Sequence, residues 1–521
     1  GRAMTNPSTD ASLQAADDRH DRHFRTDHLM ADLKGRSVRG GAVTLTAQGV
    51  KFVLQMGSTM ILARLLTPSD FGLVAMVTAV TGFVAMFKDA GLSMATVQRE
   101  QITHAQVSTL FWTNAALSVF VMLVVAALAP LLAWFYGEPR LVWITLALSA
   151  TFIFGGLTVQ HQALLRRQMR FTALAVTEIG SMAAGIATAI IIAWRGFGYW
   201  ALVGLTAGST IANCAIVWAL SGWLPGRPRK GSGVRDMLKF GGGLTGFNFL
   251  NYFTRHADNV IIGYALGSAS LGIYSKAYGL VNMPIQQINA PVSHVMVPSL
   301  SRLQGEPNRY RRAFLHAIGM LAFVGMPAVG LLFAVADEVV ALVLGGGWED
   351  AATVFRFLAP GALLGTVNVA PGWLCVSLGR ARVQLVWAAI AAPVMVMTFV
   401  AGTHWGISGV AAGFSASWCA LFILFAAMAC RKSPVSFVQL VSCLVTPFVA
   451  CVIATVASMG VVRLAFPPEA PVAGTLAASG VLFIATYVSV CLSLPSGRRQ
   501  ARALLRDGIG ALSASKAQET S

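Results

Sequence analysis

Four basic side chains stand inside long apolar runs of this 521-residue chain: Lys51, Arg255, Lys276 and Arg356. An ionisable group at the centre of a bilayer costs about 2.5–3.5 kcal/mol on insertion scales, so it faces a partner or a polar cavity. Acidic groups in the same runs are fewer: Glu178 and Asp258, with Asp89 at the edge of one run. An excess of cations in such a place suits an anion. A diphosphate is a natural candidate, because Lys and Arg together match its charge and geometry. Local pairing competes with that chemistry. Arg255 and Asp258 are three residues apart, share a helix face and can neutralise each other. Lys51 has no carboxylate three or four residues away; it can pair with Glu178 or snorkel toward an interface.

One run is rich in proline and neutral polar residues: Asn282, Pro284, Gln286, Gln287, Asn289, Pro291, His294 and Pro298. Proline bends a helix and frees carbonyls, and the amides cannot all face lipid. The run reads as a bent, cavity-lining helix that contacts sugar hydroxyls or gates, with interhelical polar glue as the competing reading. His294 can carry a coupling proton or be a hydrogen-bonded packer.

These residues need elements that hold them at membrane depth. Hydrophobic residues make up 56% of the chain and charged residues 11%, against about 25% charged in soluble domains. The mean hydropathy is +0.67, so the solvent for most of the surface is lipid. A bilayer core of about 30 Å needs about 20 apolar residues per helix. That length is met at 42–64, 71–88, 107–136, 141–162, 171–194, 199–221, 238–265, 271–297, 314–336, 353–376, 382–402, 405–429, 437–463 and 472–493. The predicted fold class is an all-α membrane protein of about fourteen transmembrane helices.

The net charge is +17. In a soluble protein it would suggest nucleic acid; here the basic residues lie between spans, so they read as topology signals and as partners for anionic lipids, with no nucleic-acid partner. With the N-terminus in the cytoplasm, about 30 of the 38 Lys and Arg fall on the inward side, Arg166, Arg167, Arg170, Arg311 and Arg312 among them. Arg64 is one of the few on the outward side and stands at the end of the first span as a gating candidate. Both termini are expected in the cytoplasm. The basic stretch Arg498, Arg499, Arg502 and Arg506 is expected either on the cytoplasmic leaflet or in solvent. No cleavable signal peptide is expected, since the first apolar run begins near Ala42 after a charged stretch.

The organisation expected is a cytoplasmic tail (1–39), an N-lobe (40–222), a basic linker (223–237), a C-lobe (238–430), two further spans (431–495) and a basic tail (496–521). The connectors are too short for a soluble catalytic domain. The seven cysteines show no C-x-x-C spacing and read as small apolar packers. His20, His23 and His28 lack a thiol or carboxylate frame for a metal and belong to a solvated tail.

The chain resembles itself at an offset of 200 residues. Gly41 maps to Gly241, Ile61 to Ile261, Leu66 to Leu266 and Gly72 to Gly272. Each copy is a helix end, a short turn and the start of the next helix. Copies separated by six spans share an orientation, as in transporters with two similar halves. The repeat sets Asn251 opposite Lys51, with Arg255 one turn further, and so gives each half a cation at similar depth.

The segments RGGAVTLTAQGVKFVLQMGSTMILARLLTPSDFGLVAM and KDAGLSMATVQRE, and later FNFLNYFTRHADNVIIGYALGSASLGIYSKAYGLVNM, resemble the polysaccharide transporter family of the MOP superfamily, which includes Wzx-type flippases. The run from Ala63 to Gly72 and the Asp-Asn-x-x-Ile-Gly run from Asp258 to Gly263 carry most of the resemblance; His256 departs from the small amide expected there. The resemblance implies the MOP flippase fold, two pseudo-symmetric lobes around a central cationic cavity. It implies alternating access and an undecaprenyl-diphosphate-linked oligosaccharide as cargo, in the bacterial inner membrane, for exopolysaccharide, capsule or O-antigen synthesis. On that reading Lys51, Arg255, Lys276 and Arg356 hold the diphosphate and flanking sugar, with Asn251, Gln286, Gln287 and Asn289 beside them. Asp258, Glu178 or Asp89 would couple transport to H+, Na+ or the membrane potential; no bound cofactor or metal is expected. Polymerase and export proteins of the same pathway are candidate partners.

Rival readings separate on residues. A lipid II flippase shares the topology and the cationic cavity, but the motifs fit the polysaccharide branch better. A MATE-type drug antiporter wants an acidic or apolar pocket, against the cation excess. A glycosyl-polymerase needs an acidic constellation or a large outward loop, which the chain lacks, so no enzyme is expected. A scaffold leaves Lys51 and Arg255 unexplained.

Overall fold

The apolar runs are helices in the computed structural model, which describes residues 33–85, 92–99, 102–228, 234–465, 472–495, 497–500 and 502. Of 33–39 and 234–255, among others, it describes the backbone only. The helices are α1 (Leu33–Leu65), α2 (Pro68–Ala85), α3 (Leu92–Gln98), α4 (His104–Tyr136), α5 (Arg140–Arg167), α6 (Phe171–Trp194), α7 (Trp200–Ser221) and α8 (Val234–Arg302). They continue as α9 (Pro307–Ala334), α10 (Ala336–Val343), α11 (Glu349–Gly365), α12 (Val369–Ser377), α13 (Ala381–Gly402), α14 (Gly406–Cys430), α15 (Phe437–Ala465) and α16 (Val472–Ser493). Among the described residues every regular element is helical.

Among the described residues, the stretches expected to cross the membrane are helical, with 353–376 divided between α11 and α12. Among the described residues, nine stretches are long and apolar enough by composition to cross, and one of them, Ala381–Cys430, holds two helices that turn at Thr403–Trp405. Stretches 42–64, 71–88, 238–265 and 271–297 are not among the nine, so among the described residues hydropathy alone supports fewer crossings than fourteen. Bulky apolar side chains face outward along these helices: Leu464 is 90% exposed and Met397 72%. Apolar surface on that scale is stable only in lipid, and the chain is a multi-pass membrane protein.

Local sequence sets the helix ends. The Thr103 side chain accepts the Gln106 N–H (3.3 Å) and the Gln106 side chain accepts the Thr103 N–H (3.0 Å), a capping box that starts α4. Gly137 ends it in the left-handed conformation. Between α1 and α2 the Asp70 carboxylate accepts the Thr67 N–H (2.9 Å) and hydroxyl (2.7 Å). The repeat partner of that turn is built differently. Within α8 the described backbone leaves helical geometry at Gly267, with φ 82° and ψ 179°, a conformation that only glycine adopts freely. The prolines expected to bend this segment, Pro284, Pro291 and Pro298, sit in helical backbone. The helix absorbs their missing N–H groups without a break, and the sharp turn falls at the glycine instead.

The chain divides into two compact units, one of residues 1–256 with 267–269 and the other of 257–266 with 270–521. The division falls inside α8, later than the linker expected at 223–237, and the last two spans belong to the second unit. That linker opens with a strap tied to α4: the Gly226 N–H donates to Ser108 (2.9 Å), and the Trp112 indole donates to the Gly226 carbonyl (2.9 Å).

In the first unit α4 packs on α5, α6 on α7 and α1 on α6. Small residues let the backbones close. A Cβ at Gly156 would collide with Ser118, and one at Gly185 would come within 2.6 Å of the Leu205 carbonyl. The second unit has a large apolar core of Tyr310, Phe314, Leu321, Met326, Trp373, Phe425 and Tyr487 drawn from α9, α12, α14 and α16. Its buried hydroxyls are paired: Tyr310 with Ser377 at 2.6 Å, and Tyr487 donating to the Phe323 carbonyl at 2.9 Å. The cysteines are free, and Cys375, Cys430, Cys451 and Cys491 are buried, as packers would be.

Candidate functional site

In the first unit the central feature is an ion pair. Gly40 near the start of α1 sits so close to the Phe171 ring that a Cβ would collide with it, which seats α1 against the start of α6. Further along the same two helices, the Lys51 ammonium donates to the Glu178 carboxylate at 2.7 Å. Glu178 stands about two turns, or about 12 Å, along α6 from Arg170. The pair keeps 27% of the Lys51 side chain and 46% of the Glu178 side chain exposed. Charges left part exposed within an apolar span would be costly against hydrocarbon, so such a pair is expected to have polar surroundings on its open side.

The second unit holds its acidic group differently. Asp258 is 4% exposed. One carboxylate oxygen accepts the Asn259 N–H at 2.8 Å, the other the Tyr274 hydroxyl at 3.0 Å. The turn at Gly267 brings the two sides of α8 face to face so that Tyr274 reaches Asp258. From there an aromatic series continues: Tyr274 stacks with Tyr278 (6.2 Å between centroids), Tyr278 meets Phe414 edge-on (5.6 Å), and Phe414 stacks with Trp418 (5.5 Å).

The other predicted residues spread over the second unit. Lys276 is half-buried on α8. Arg356 on α11 is paired with Asp337 of the short helix α10, while its Nε is buried without a partner. Gln286, Gln287 and His294 are exposed. Asn289 is buried and its amide N–H lies 3.5 Å from the Gly365 carbonyl, at the interruption between α11 and α12, with its Oδ1 unpartnered. The Trp373 indole donates to Ser293 at 3.1 Å. The polar run thus splits its work: Asn289 and Ser293 hold the tenth span, and Gln286, Gln287 and His294 remain available. Arg64 is exposed at the end of α1. Asp89 and the side chains of Asn251 and Arg255 lie outside the described residues, and with them the Arg255–Asp258 pairing.

Sequence reasoning missed three features. Tyr274 and Asp337, the partners of Asp258 and Arg356, give no signal in the sequence, since both pairings need a tertiary turn. The third is a buried polar network in the first unit. The Thr96 hydroxyl donates to Gln160 (2.7 Å) and the Gln160 amide donates to Asn114 (2.9 Å). Arg167 donates to the Thr96 carbonyl (3.2 Å) and to that of Arg99. His161, fully buried, stacks on Trp218 at 4.4 Å. The signal was there: Gln160-His161-Gln162 interrupts an apolar span. These contacts pin α3 to α4 and α5.

Long apolar helices in two compact units, with charges held inside the apolar stretches, define a polytopic membrane protein. The chain superposes on the lipid II flippase MurJ in its inward closed conformation with a TM-score of 0.67 over 87% of this chain and 98% of that one, at 12% identity, which establishes the shared fold. A family described as "Polysaccharide biosynthesis protein" matches residues 61–353, and the chain belongs to that family. It is 23% identical to the lipopolysaccharide biosynthesis protein WzxC of Escherichia coli (strain K12), over 73% of this chain and 78% of that protein. It is 28% identical to the succinoglycan biosynthesis transport protein ExoT of Rhizobium meliloti (strain 1021), over 60% of this chain and 62% of that protein.

Proposed function

We propose that this protein is a flippase that moves an undecaprenyl-diphosphate-linked oligosaccharide from the cytoplasmic to the periplasmic leaflet of the bacterial inner membrane. It works by alternating access and serves exopolysaccharide, capsule or O-antigen synthesis. The observation that carries the reading is the part-exposed Lys51 ammonium in the first unit, held within an apolar stretch of α1 and paired with Glu178. Membership of a polysaccharide biosynthesis family and similarity to a transport protein of that pathway support it. Lys51 engages the diphosphate, with Arg255, Lys276 and Arg356 as further cationic contacts. Asn251, Gln286, Gln287 and Asn289 serve the sugar. Asp258, with Glu178 and Asp89, couples transport to H+, Na+ or the membrane potential; Arg64 and His294 gate. Both tails lie in the cytoplasm, where exposed Arg498, Arg499 and Arg502 meet anionic headgroups. Polymerase and export proteins receive the product.

The test is reconstitution in liposomes with a fluorescent undecaprenyl-diphosphate oligosaccharide, scoring its arrival in the opposite leaflet. Wild type should exchange it, and Lys51→Ala and Arg255→Ala should lose exchange while remaining folded. No exchange by wild type under any imposed ion gradient sinks the reading. Unchanged exchange in both variants removes the proposed site and keeps the flippase.

A further inference from the structure

Lys51 is bound to an anion supplied by the chain itself. We infer that Glu178 is a resident counter-ion which holds the Lys51 ammonium when no cargo is bound and is displaced by the cargo's diphosphate, so that loading exchanges one anion for another at the same nitrogen. This rests on the diphosphate-cargo reading above and adds how the site is held between cargoes.

The pair is tertiary: its members stand 127 residues apart on α1 and α6 and meet at 2.7 Å. Among the described residues each is the other's only ion-pair partner. A part-exposed ammonium within an apolar span is still favoured by a neighbouring anion, so an anion at each stage of the cycle suits the site. A pair buried on all sides would be too tight to exchange. This one is open, and the carboxylate is the more open half, 46% exposed against 27% for the lysine. A displaced carboxylate can therefore turn away from the lysine without having to enter the packed interior. A diphosphate carries more charge and more acceptor oxygens than one carboxylate, so it wins the ammonium when it arrives. The contrast inside the same molecule is Asp258, whose hydrogen bonds and near-complete burial leave an incoming group no approach.

The test uses the full chain in nanodiscs, with undecaprenyl diphosphate as probe and undecaprenol as the uncharged control. Glu178→Gln removes the charge and keeps the shape; it is expected to bind the diphosphate about fivefold tighter than wild type, the factor a part-exposed ion pair supplies. Lys51→Gln is expected to bind it at least about tenfold more weakly. In the Lys51→Gln background the Glu178→Gln gain disappears, because the two anions compete only through the ammonium they share. Glu178→Asp, which keeps the carboxylate, stays near wild type. Should Glu178→Gln fail to fold, Glu178→Ala serves the same arm. Equal or weaker binding by a folded Glu178→Gln overturns the exchange and leaves the diphosphate reading standing. So does a gain that persists without Lys51, which would be general repulsion and not competition. If wild type binds undecaprenol as tightly as undecaprenyl diphosphate, the cargo reading fails and the exchange with it.

Discussion

The two units carry their acidic groups in opposite ways. In the first, Glu178 meets a lysine from another helix and both stay part exposed. In the second, Asp258 is buried and meets a tyrosine hydroxyl and a backbone N–H. The repeat sharpens the contrast. Asp258 falls at the position of Ser58, which is buried but not ionisable, and Lys51 falls at the position of Asn251. At these paired positions the two units differ, one holding a part-exposed ion pair and the other a buried, hydrogen-bonded carboxylate. A part-exposed ion pair contributes little to stability and costs little to open, which suits a group that meets cargo. A buried carboxylate with satisfied oxygens is expensive to disturb, which suits a group that fixes one conformation or changes only with a proton or ion.

The comparison can be broken most forcefully at the turns. Gly267 makes the turn between Asp258 and Tyr274 with a positive φ, so Gly267→Val should cost about 3 kcal/mol and separate the two; thermal unfolding in detergent reads the loss. An unchanged transition would mean that the turn relaxes and that Asp258 is not locked. Next, Tyr274→Phe deletes the hydroxyl donor to a buried carboxylate and should cost about 2 kcal/mol. Asp258→Asn should cost less, since an amide oxygen still accepts the hydroxyl. If Tyr274→Phe is silent in unfolding, water has replaced the hydroxyl and the two centres are equally open. The first unit's turn is capped by the Asp70 side chain, and Thr67→Ala should cost about 1 kcal/mol by removing the hydroxyl bond to Asp70. The smallest effect is expected at the exchangeable pair: Glu178→Gln should change stability by no more than about 1 kcal/mol while altering cargo binding. A loss as large as that of Tyr274→Phe would make the pair a structural clip and erase the difference between the units.

Much of the fold could be read from residue patterns. Apolar runs of span length appear as helices, and the offset of 200 residues finds the α1–α2 junction and the Gly267 turn at matching places. The possible Lys51–Glu178 pairing was legible because Lys51 had no local carboxylate and few acidic residues lay in spans. Asp258 was legible as a buried acid, but its partner was not. Helix periodicity ranks neighbours three or four residues away, and Tyr274 is reached only because the chain reverses at Gly267. Arg356 gave the same difficulty: Asp337 lies 19 residues earlier on a separate short helix. The proline-rich stretch was legible as helix, with Pro284, Pro291 and Pro298 inside it, while the positive φ that makes the sharp turn at Gly267 was not.

By itself, then, the sequence determined the solvent of this protein, the helical character of its spans, the sidedness expected of its basic residues and the presence of charges too costly to leave in lipid. Each follows from composition and spacing along one dimension, where transfer energies and helix period act. Which charges are open and which are closed was decided only in three dimensions. Glu178 and Lys51 are half-exposed and Asp258 is not because of which helices pack beside them. Burial and hydrogen-bond partners are properties of that packing, set by contacts between residues far apart in the chain.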